Sequence, residues 1–285
     1  MDADGSPMLR RDLDVPYSCP RSAHPARITS ATVSMNAPIP AAPRVPGAPP
    51  MRRSPVRWGI GDFFWVFFAG ILAATVVGVM TVAVAGWEPG DLTDPQAVLF
   101  NGISAIAQFV GFALVLWLLL RVKGNGVRSD LGVFADRDWG VIVACLFAGV
   151  ASQWVFGVLI LPINQIADSD GQELVDQLDR ASGVGVVLLA ITAGVLAPIF
   201  EELLFRGLLL RSLLRRMPAW AAVVVSSVAF GVVHFLDPAT IPIVPALIGL
   251  GIVSAVLAIR SGGLLRSIAL HMGFNLVTVV IAIAS

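Results

Sequence analysis

The stretch that decides the fold is APIFEELLFRGLLLRSLLRR, residues 197–216, where charged side chains interrupt an apolar helical pattern. An ionised side chain inside a membrane is costly, and it persists mainly where it faces a bundle interior or a wet cavity. Glu201, Glu202 and Arg206 therefore indicate either a solvated helix end or a buried polar site. The arginines from Arg211 onward place the exit of this helix later in the chain, which favours the buried site.

The rest of the chain is strongly apolar, with 56% hydrophobic and 13% charged residues in 285. This charged fraction is about half of that usual in soluble domains. Long uncharged stretches predict membrane-spanning helices, because lipid cannot satisfy the open edge of a sheet. Pro198 could divide one span in two, so we expect an all-α, polytopic bundle of seven to eight transmembrane helices. The predicted spans cover about 63–85, 97–120, 139–161, 184–216, 219–236, 241–259 and 264–284.

Charges in the connections predict how the bundle is oriented. Basic and acidic connections alternate along the chain, beginning with an N-terminal tail that has eight Arg and four Asp. Cytoplasmic connections carry the excess of basic residues, so we expect a cytoplasmic N-terminus and an outer C-terminus. The protein would then be a multi-pass protein of the cell membrane, with the lipid bilayer as its first partner.

Three regions follow from composition and span positions. Residues 1–57 are predicted to be a disordered, Pro- and Arg-rich cytoplasmic tail. Residues 58–183 hold the first transmembrane helices and an acidic outer loop, in which 170–180 form either a short amphipathic helix or a solvated loop. Residues 184–285 contain the polar motifs and are predicted to be the catalytic core. The net charge of zero predicts no nucleic-acid partner.

The charged motif divides by helical geometry. Glu202 and Arg206 lie one turn apart and can form an ion pair, which leaves Glu201 pointing about 100° away. A carboxylate placed in this way can act as general base for a water molecule. Glu201 lies fifteen residues from Arg216 at the inner end of its helix, and His234 lies fifteen residues from Ala219 at the inner end of the next helix. These helices are antiparallel neighbours, so we expect the carboxylate and the imidazole to share one water.

The last predicted span carries His271 and Asn275, again one turn apart on one face. Both side chains can donate hydrogen bonds to the oxyanion of a tetrahedral intermediate. Taken alone, they could equally hold neighbouring helices together, whereas beside the glutamates and His234 they favour a functional site. By residue count His271 lies about seven residues inside its span, shallower than Glu201. Either the turn at 260–266 enters the bundle, or the predicted boundaries are displaced.

These ordered motifs resemble the CAAX protease and bacteriocin-processing (CPBP) family of intramembrane proteases, which includes the type II CAAX prenyl endopeptidases. The family pattern is Glu-Glu-x-x-x-Arg, then Phe-x-x-x-His, then His-x-x-x-Asn or Asp, and Phe230 completes the second motif here. The resemblance covers about residues 184–285. It implies that Glu201 and His234 activate water and that His271 and Asn275 stabilise the oxyanion. Glu202 and Arg206 would support the site.

The resemblance also sets the expected cofactor and substrate. A glutamate mechanism needs no cofactor, whereas the competing zinc mechanism would use His234, His271 and Glu201 as ligands. The absence of a His-Glu-x-x-His signature favours the first. The expected activity is an endopeptidase acting on peptides or membrane-anchored proteins. An Arg-rich chain with one lysine favours a bacterial plasma membrane, where substrates other than prenylated proteins are expected.

Two other functional classes stay open at this point. Buried carboxylates and histidines also build the proton relays of transporters, although no repeated halves are visible in this chain. A catalytically silent scaffold or immunity protein could use the same polar residues only to fix helix packing.

Overall fold

The computed structural model describes residues 56–88, 90–133, 138–167, 184–236 and 238–284, and every long regular element in these ranges is a helix. Residues 1–55 of the predicted tail and the segment 170–180 lie outside the described residues. Two short 3-10 turns, His234–Leu236 and Pro238–Ile243, follow the sixth helix. The helices are α1 (Ile60–Ala85), α2 (Asp94–Lys123), α3 (Val127–Leu131), α4 (Trp139–Ala167), α5 (184–213), α6 (Ala219–Val233), α7 (Val244–Ser261) and α8 (Leu265–Ala284).

Four stretches in the described residues are long and apolar enough to cross a membrane: Ile60–Ala85, Pro95–Lys123, Trp139–Val158 and Thr240–Ser261. Two further apolar helices are shorter. Large apolar side chains on the first and third stretches point outward, as expected where lipid replaces water. The helical class and the several apolar spans are therefore confirmed and indicate a multi-pass membrane protein. The number of seven to eight spans and the cytoplasmic N-terminus stay predictions.

Helix α5 carries the glutamates and is wound unevenly. It passes through α-helix (Val184–Ile191), π-helix (Thr192–Leu196), α-helix (Ala197–Glu201), π-helix (Glu202–Leu210) and a last α-helical turn (Arg211–Leu213). Pro198 does not divide this helix, because the π-turn before it has already displaced the usual hydrogen-bond ladder. Winding of this kind is rare and is frequently found at functional sites.

Two glycines bring α4 and α8 into backbone contact. A Cβ atom on Gly149 would collide with the carbonyl oxygen of Leu270, and one on Gly273 would collide with that of Leu146. Small residues allow this approach between membrane helices. Since Leu270 directly precedes His271, the glycine contact sets the position of the α8 histidine.

The turn between α7 and α8 is covered by other parts of the chain at Gly263 and Leu264. Leu264 in this turn is fully buried, and Arg211 donates a hydrogen bond of 3.0 Å to the carbonyl oxygen of Gly262. Leu131 from α3 and Leu264 both come close to Gly207 on α5. Because the turn is covered, His271 reaches the glutamates although few residues separate it from the start of its helix.

Candidate active site

The ion pair of Glu202 and Arg206 is sealed inside the bundle. Nη1 of Arg206 lies 3.0 Å from Oε1 of Glu202, and the two side chains are 1% and 0% exposed. Neither Nη atom of Arg206 has the alignment of a hydrogen bond with a described residue. The contact is therefore mainly electrostatic, and it is strong because water is excluded.

The ring of Phe230 joins this ion pair to both histidines. The guanidinium carbon of Arg206 lies 4.4 Å from the ring centroid, which is a cation–π contact. The same centroid lies 5.1 Å from that of His234 and 5.5 Å from that of His271, both in edge-to-face geometry. Phe230 of the second motif therefore orients groups from three helices.

His271 lies between the two glutamates. Its Nδ1 is 3.1 Å from Oε1 of Glu202, and its Nε2 is 3.6 Å from Oε2 of Glu201. The carboxylate of Glu202 accepts from Nδ1, so this nitrogen carries a hydrogen. On the other side of the ring, an unprotonated Nε2 and the carboxylate of Glu201 would both be acceptors. An attractive contact between them therefore needs a proton on one of the two groups.

Exposure separates the two glutamates. The side chain of Glu201 is 24% exposed, whereas Glu202 is inaccessible and His271 is 2% exposed. Glu201 is therefore the carboxylate of this cluster that a water molecule can reach. The tilt predicted from helical spacing, with Glu202 turned to its arginine and Glu201 turned away, agrees with this arrangement.

His234 ends α6 and is partly buried. Its Nδ1 lies 2.8 Å from the carbonyl oxygen of Phe230, one turn earlier in the same helix. Because a carbonyl oxygen only accepts, Nδ1 carries the hydrogen and Nε2 of the neutral ring is an acceptor. The hydroxyl of Thr240 donates to the backbone carbonyl of His234, which holds the end of this helix in place.

Asn275 satisfies a defect in α5. The amide N–H of Ala197 donates to Thr192 within the π-turn, and Pro198 has no N–H, so the carbonyl of Ala193 loses its helical donors. Nδ2 of Asn275 supplies the missing bond at 2.9 Å. An amide nitrogen has two hydrogens, so one N–H of Asn275 is left for another acceptor.

A cavity of about 210 Å³ opens beside His234 and Asn275. It is bounded by α4, α5, α7, α8 and the turn after α6, and its remaining polar wall is formed by Gln153 and Thr278. Glu201 is not part of the wall, and it lies about two turns beyond Ala193 along α5. The site thus has two parts, which we call the charged cluster (Glu201, Glu202, Arg206 and His271) and the cavity.

The segment that contains Glu201, Glu202, His234 and His271 is similar to a known protein family. Residues 183–277 match the family described as type II CAAX prenyl endopeptidase Rce1-like. This segment is similar to that family. The resemblance seen in the motifs is therefore confirmed, and all six predicted site residues lie within the Rce1-like segment.

Two curated proteins are similar to the chain. "Putative membrane peptidase YdiL" from Bacillus subtilis (strain 168) is 26% identical over 155 residues, which are 52% of this chain and 60% of YdiL. "Uncharacterized 24.3 kDa protein" from Escherichia coli is 34% identical over 89 residues, 30% of this chain and 41% of that protein. The chain thus spans 60% and 41% of the lengths of these relatives. No solved structure matches the chain.

Not all of the predicted site residues contact one another directly. His271, rather than His234, is the imidazole next to Glu201. Sharing of a water by Glu201 and His234 stays a prediction, as do the catalytic roles of the six residues. Nε2 of Gln153 on α4 donates to Oγ1 of Thr278 on α8 at 3.2 Å, which joins the two helices. The sequence analysis missed Thr278, which lies one turn after Asn275 on the same face.

A zinc site would need three or more ligating side chains close together. Among the described residues, no group of three or more His, Cys, Asp or Glu side chains is arranged to hold a metal ion. A zinc ion would need Nε2 of both histidines and a carboxylate of Glu201 in one group. His234, His271 and Glu201 do not form such a group among the described residues, so the zinc set does not fit this arrangement.

Proposed function

We propose that this protein is an intramembrane endopeptidase that hydrolyses peptide bonds in membrane-associated peptides or proteins. The observation that carries the proposal is the accessible carboxylate of Glu201 beside a buried imidazole, in a segment similar to the Rce1-like family. Burial of the neighbouring ion pair supports a preorganised site, in which electrostatic effects are larger than in water.

Water activation is assigned to Glu201 and His234. Nε2 of neutral His234 can accept a hydrogen bond from water, because Nδ1 already donates to a carbonyl. The water oxygen attacks the peptide carbonyl carbon while Glu201 accepts its proton. The tetrahedral intermediate then collapses, the C–N bond breaks, and the proton passes from Glu201 to the leaving amine.

The oxyanion is assigned to His271 and Asn275. A proton on Nε2 of His271 and the second N–H of Asn275 are the available donors. Glu202 accepts from Nδ1 of His271 and so orients the ring, while Arg206 balances the charge of Glu202. This assignment needs no cofactor.

The proposed substrates are peptides or proteins held at a bacterial plasma membrane. The family is described by its action on CAAX prenyl proteins, and YdiL is described as a membrane peptidase. A prenyl group is not required by the groups at the site, and we expect cleavage of other membrane-anchored peptides.

The decisive experiment compares Glu201→Gln with the wild-type chain in liposomes that contain a pool of lipid-anchored peptides. General-base catalysis contributes about 10²–10⁴-fold, so we expect kcat to fall by that factor while helical content is unchanged. Glu88→Gln removes an exposed carboxylate in the connection after α1 and serves as the control. Full activity of Glu201→Gln would refute the mechanism. Wild-type protein that cleaves no peptide but moves protons would point to transport.

A further inference from the structure

The cavity has an apolar part that the proposed chemistry does not use. Apolar side chains line this part of the cavity: Phe156, Ile243, Leu247, Phe274 and Val279. An engineered apolar cavity of about 150 Å³ binds benzene, and this one measures about 210 Å³. The space therefore suits one aromatic or branched apolar side chain.

Gln153 in the polar wall has an unused hydrogen-bonding atom. Its Nε2 is held by the hydroxyl of Thr278, whereas its Oε1 is buried and has no hydrogen-bond partner among the described residues. A buried polar atom without a partner costs free energy, and the cost is recovered when a ligand supplies the donor. A peptide N–H is the donor that an endopeptidase substrate would bring.

We infer that the cavity is a specificity pocket for an apolar substrate residue next to the cleaved bond. The side chain of that residue, of phenylalanine or leucine size, occupies the apolar part, and its backbone N–H donates to Oε1 of Gln153. Since His234 and Asn275 line the same cavity, a residue bound there has its carbonyl near the reacting groups. The inference rests on the proposed function and names the substrate class.

Gly157 provides a way to fill the pocket. It lines the cavity, and a Cβ atom at this position meets nothing within 4 Å. Gly157→Phe therefore adds a ring at the wall of the cavity without a backbone clash, and we expect the ring to fill part of the space. Gly61 on α1 is equally open to a Cβ atom but lies far from the cavity in the chain, so Gly61→Phe is the matched control.

The binding test uses N-acetyl-L-phenylalaninamide as probe and the full chain carrying Glu201→Gln, purified in detergent, so that no turnover occurs. We expect saturable binding that weakens at least about tenfold in Gly157→Phe, since loss of a well-filled pocket is worth about 10–200-fold. Gly61→Phe should bind as the parent does. If Gly157→Phe does not fold, Gly157→Ala is used, and it should weaken binding by a smaller factor.

The hydrogen bond is tested by pairing a protein change with a ligand change. O-acetyl-L-phenyllactamide has an ester oxygen in place of the probe's acetamido N–H. The parent chain, Glu201→Gln, should bind this ester about 3–10-fold more weakly than it binds the probe. When Gln153→Leu is added, the ester and the probe should bind equally well. An equal preference for the N–H ligand in Gln153→Leu would refute the role of Gln153.

A cleavage assay separates the pocket proposal from the endopeptidase proposal. It uses lipid-anchored peptides that carry Phe, Ala or Asp next to the cleaved bond. The wild-type chain should prefer Phe, and Gly157→Phe should reverse the preference to Ala. Probe binding without any cleavage would refute the endopeptidase and leave the pocket standing. Cleavage with an unchanged preference in Gly157→Phe and Gln153→Leu would refute the pocket and leave the endopeptidase standing.

Discussion

Replacement of Glu202 by leucine tests whether the charged cluster is held together by charge balance. Glu202→Leu leaves Arg206 as a buried cation without its carboxylate. Breaking one side of a buried pair costs about 3–5 kcal/mol of unfolding free energy. It also removes the acceptor of Nδ1 of His271, and an unsatisfied buried donor costs about 1–3 kcal/mol.

The double variant Glu202→Leu/Arg206→Met removes both charges and keeps the volume apolar. The loss at His271 then remains, together with the loss of the cation–π contact between Arg206 and Phe230, so the double variant should be more stable than Glu202→Leu by about 2 kcal/mol. Reversible unfolding of purified protein in mixed micelles, followed by circular dichroism, measures the difference. Both variants should lack peptidase activity, because His271 has lost its orienting carboxylate. A double variant that is no more stable than Glu202→Leu would contradict the buried ion pair.

The remaining predictions concern the helices that carry the site. Gly149→Ala should destabilise the protein by about 1–3 kcal/mol, since overpacking forces α4 and α8 apart, whereas Gly157→Ala on the same helix should unfold as wild type does in the same micelle assay. Asn275→Ala should cost about 1–3 kcal/mol by orphaning the Ala193 carbonyl and should lower kcat by about 10²–10³-fold by removing an oxyanion donor. If Gly149→Ala unfolds as the wild type does, the close contact of α4 with α8 is contradicted. If Asn275→Ala keeps the wild-type kcat, its role as an oxyanion donor is contradicted.

Periodicity and charge were sufficient to predict the helices, because lipid leaves few alternatives to a helix. The predicted spans from 63–85 to 264–284 each overlap an observed helix. Helical spacing also predicted the pairing of Glu202 with Arg206. These features depend on neighbours within one helix, which a sequence displays directly.

Contacts between helices were harder to predict. Sequence reasoning expected Glu201 and His234 to share a water, which stays a prediction, and it did not predict the direct contact of Glu201 with His271. That contact depends on the covered turn between α7 and α8 and on the close approach at Gly149. Depth counted from span ends assumes that turns lie at the membrane surface, and this assumption fails where a turn is covered by other parts of the chain.

The arrangement of charges links burial to the proposed chemistry. Arg206 balances Glu202, and in the proposed assignment one proton shared by His271 and Glu201 balances the second carboxylate, which makes the cluster neutral. Neutrality limits the cost of removing these groups from water. When Glu201 takes a proton from water, the cluster gains one positive charge as the substrate gains a negative oxyanion. The site and substrate together stay neutral through the step, and the attraction between the two new opposite charges, which is strong where water is excluded, offsets part of the cost of creating them.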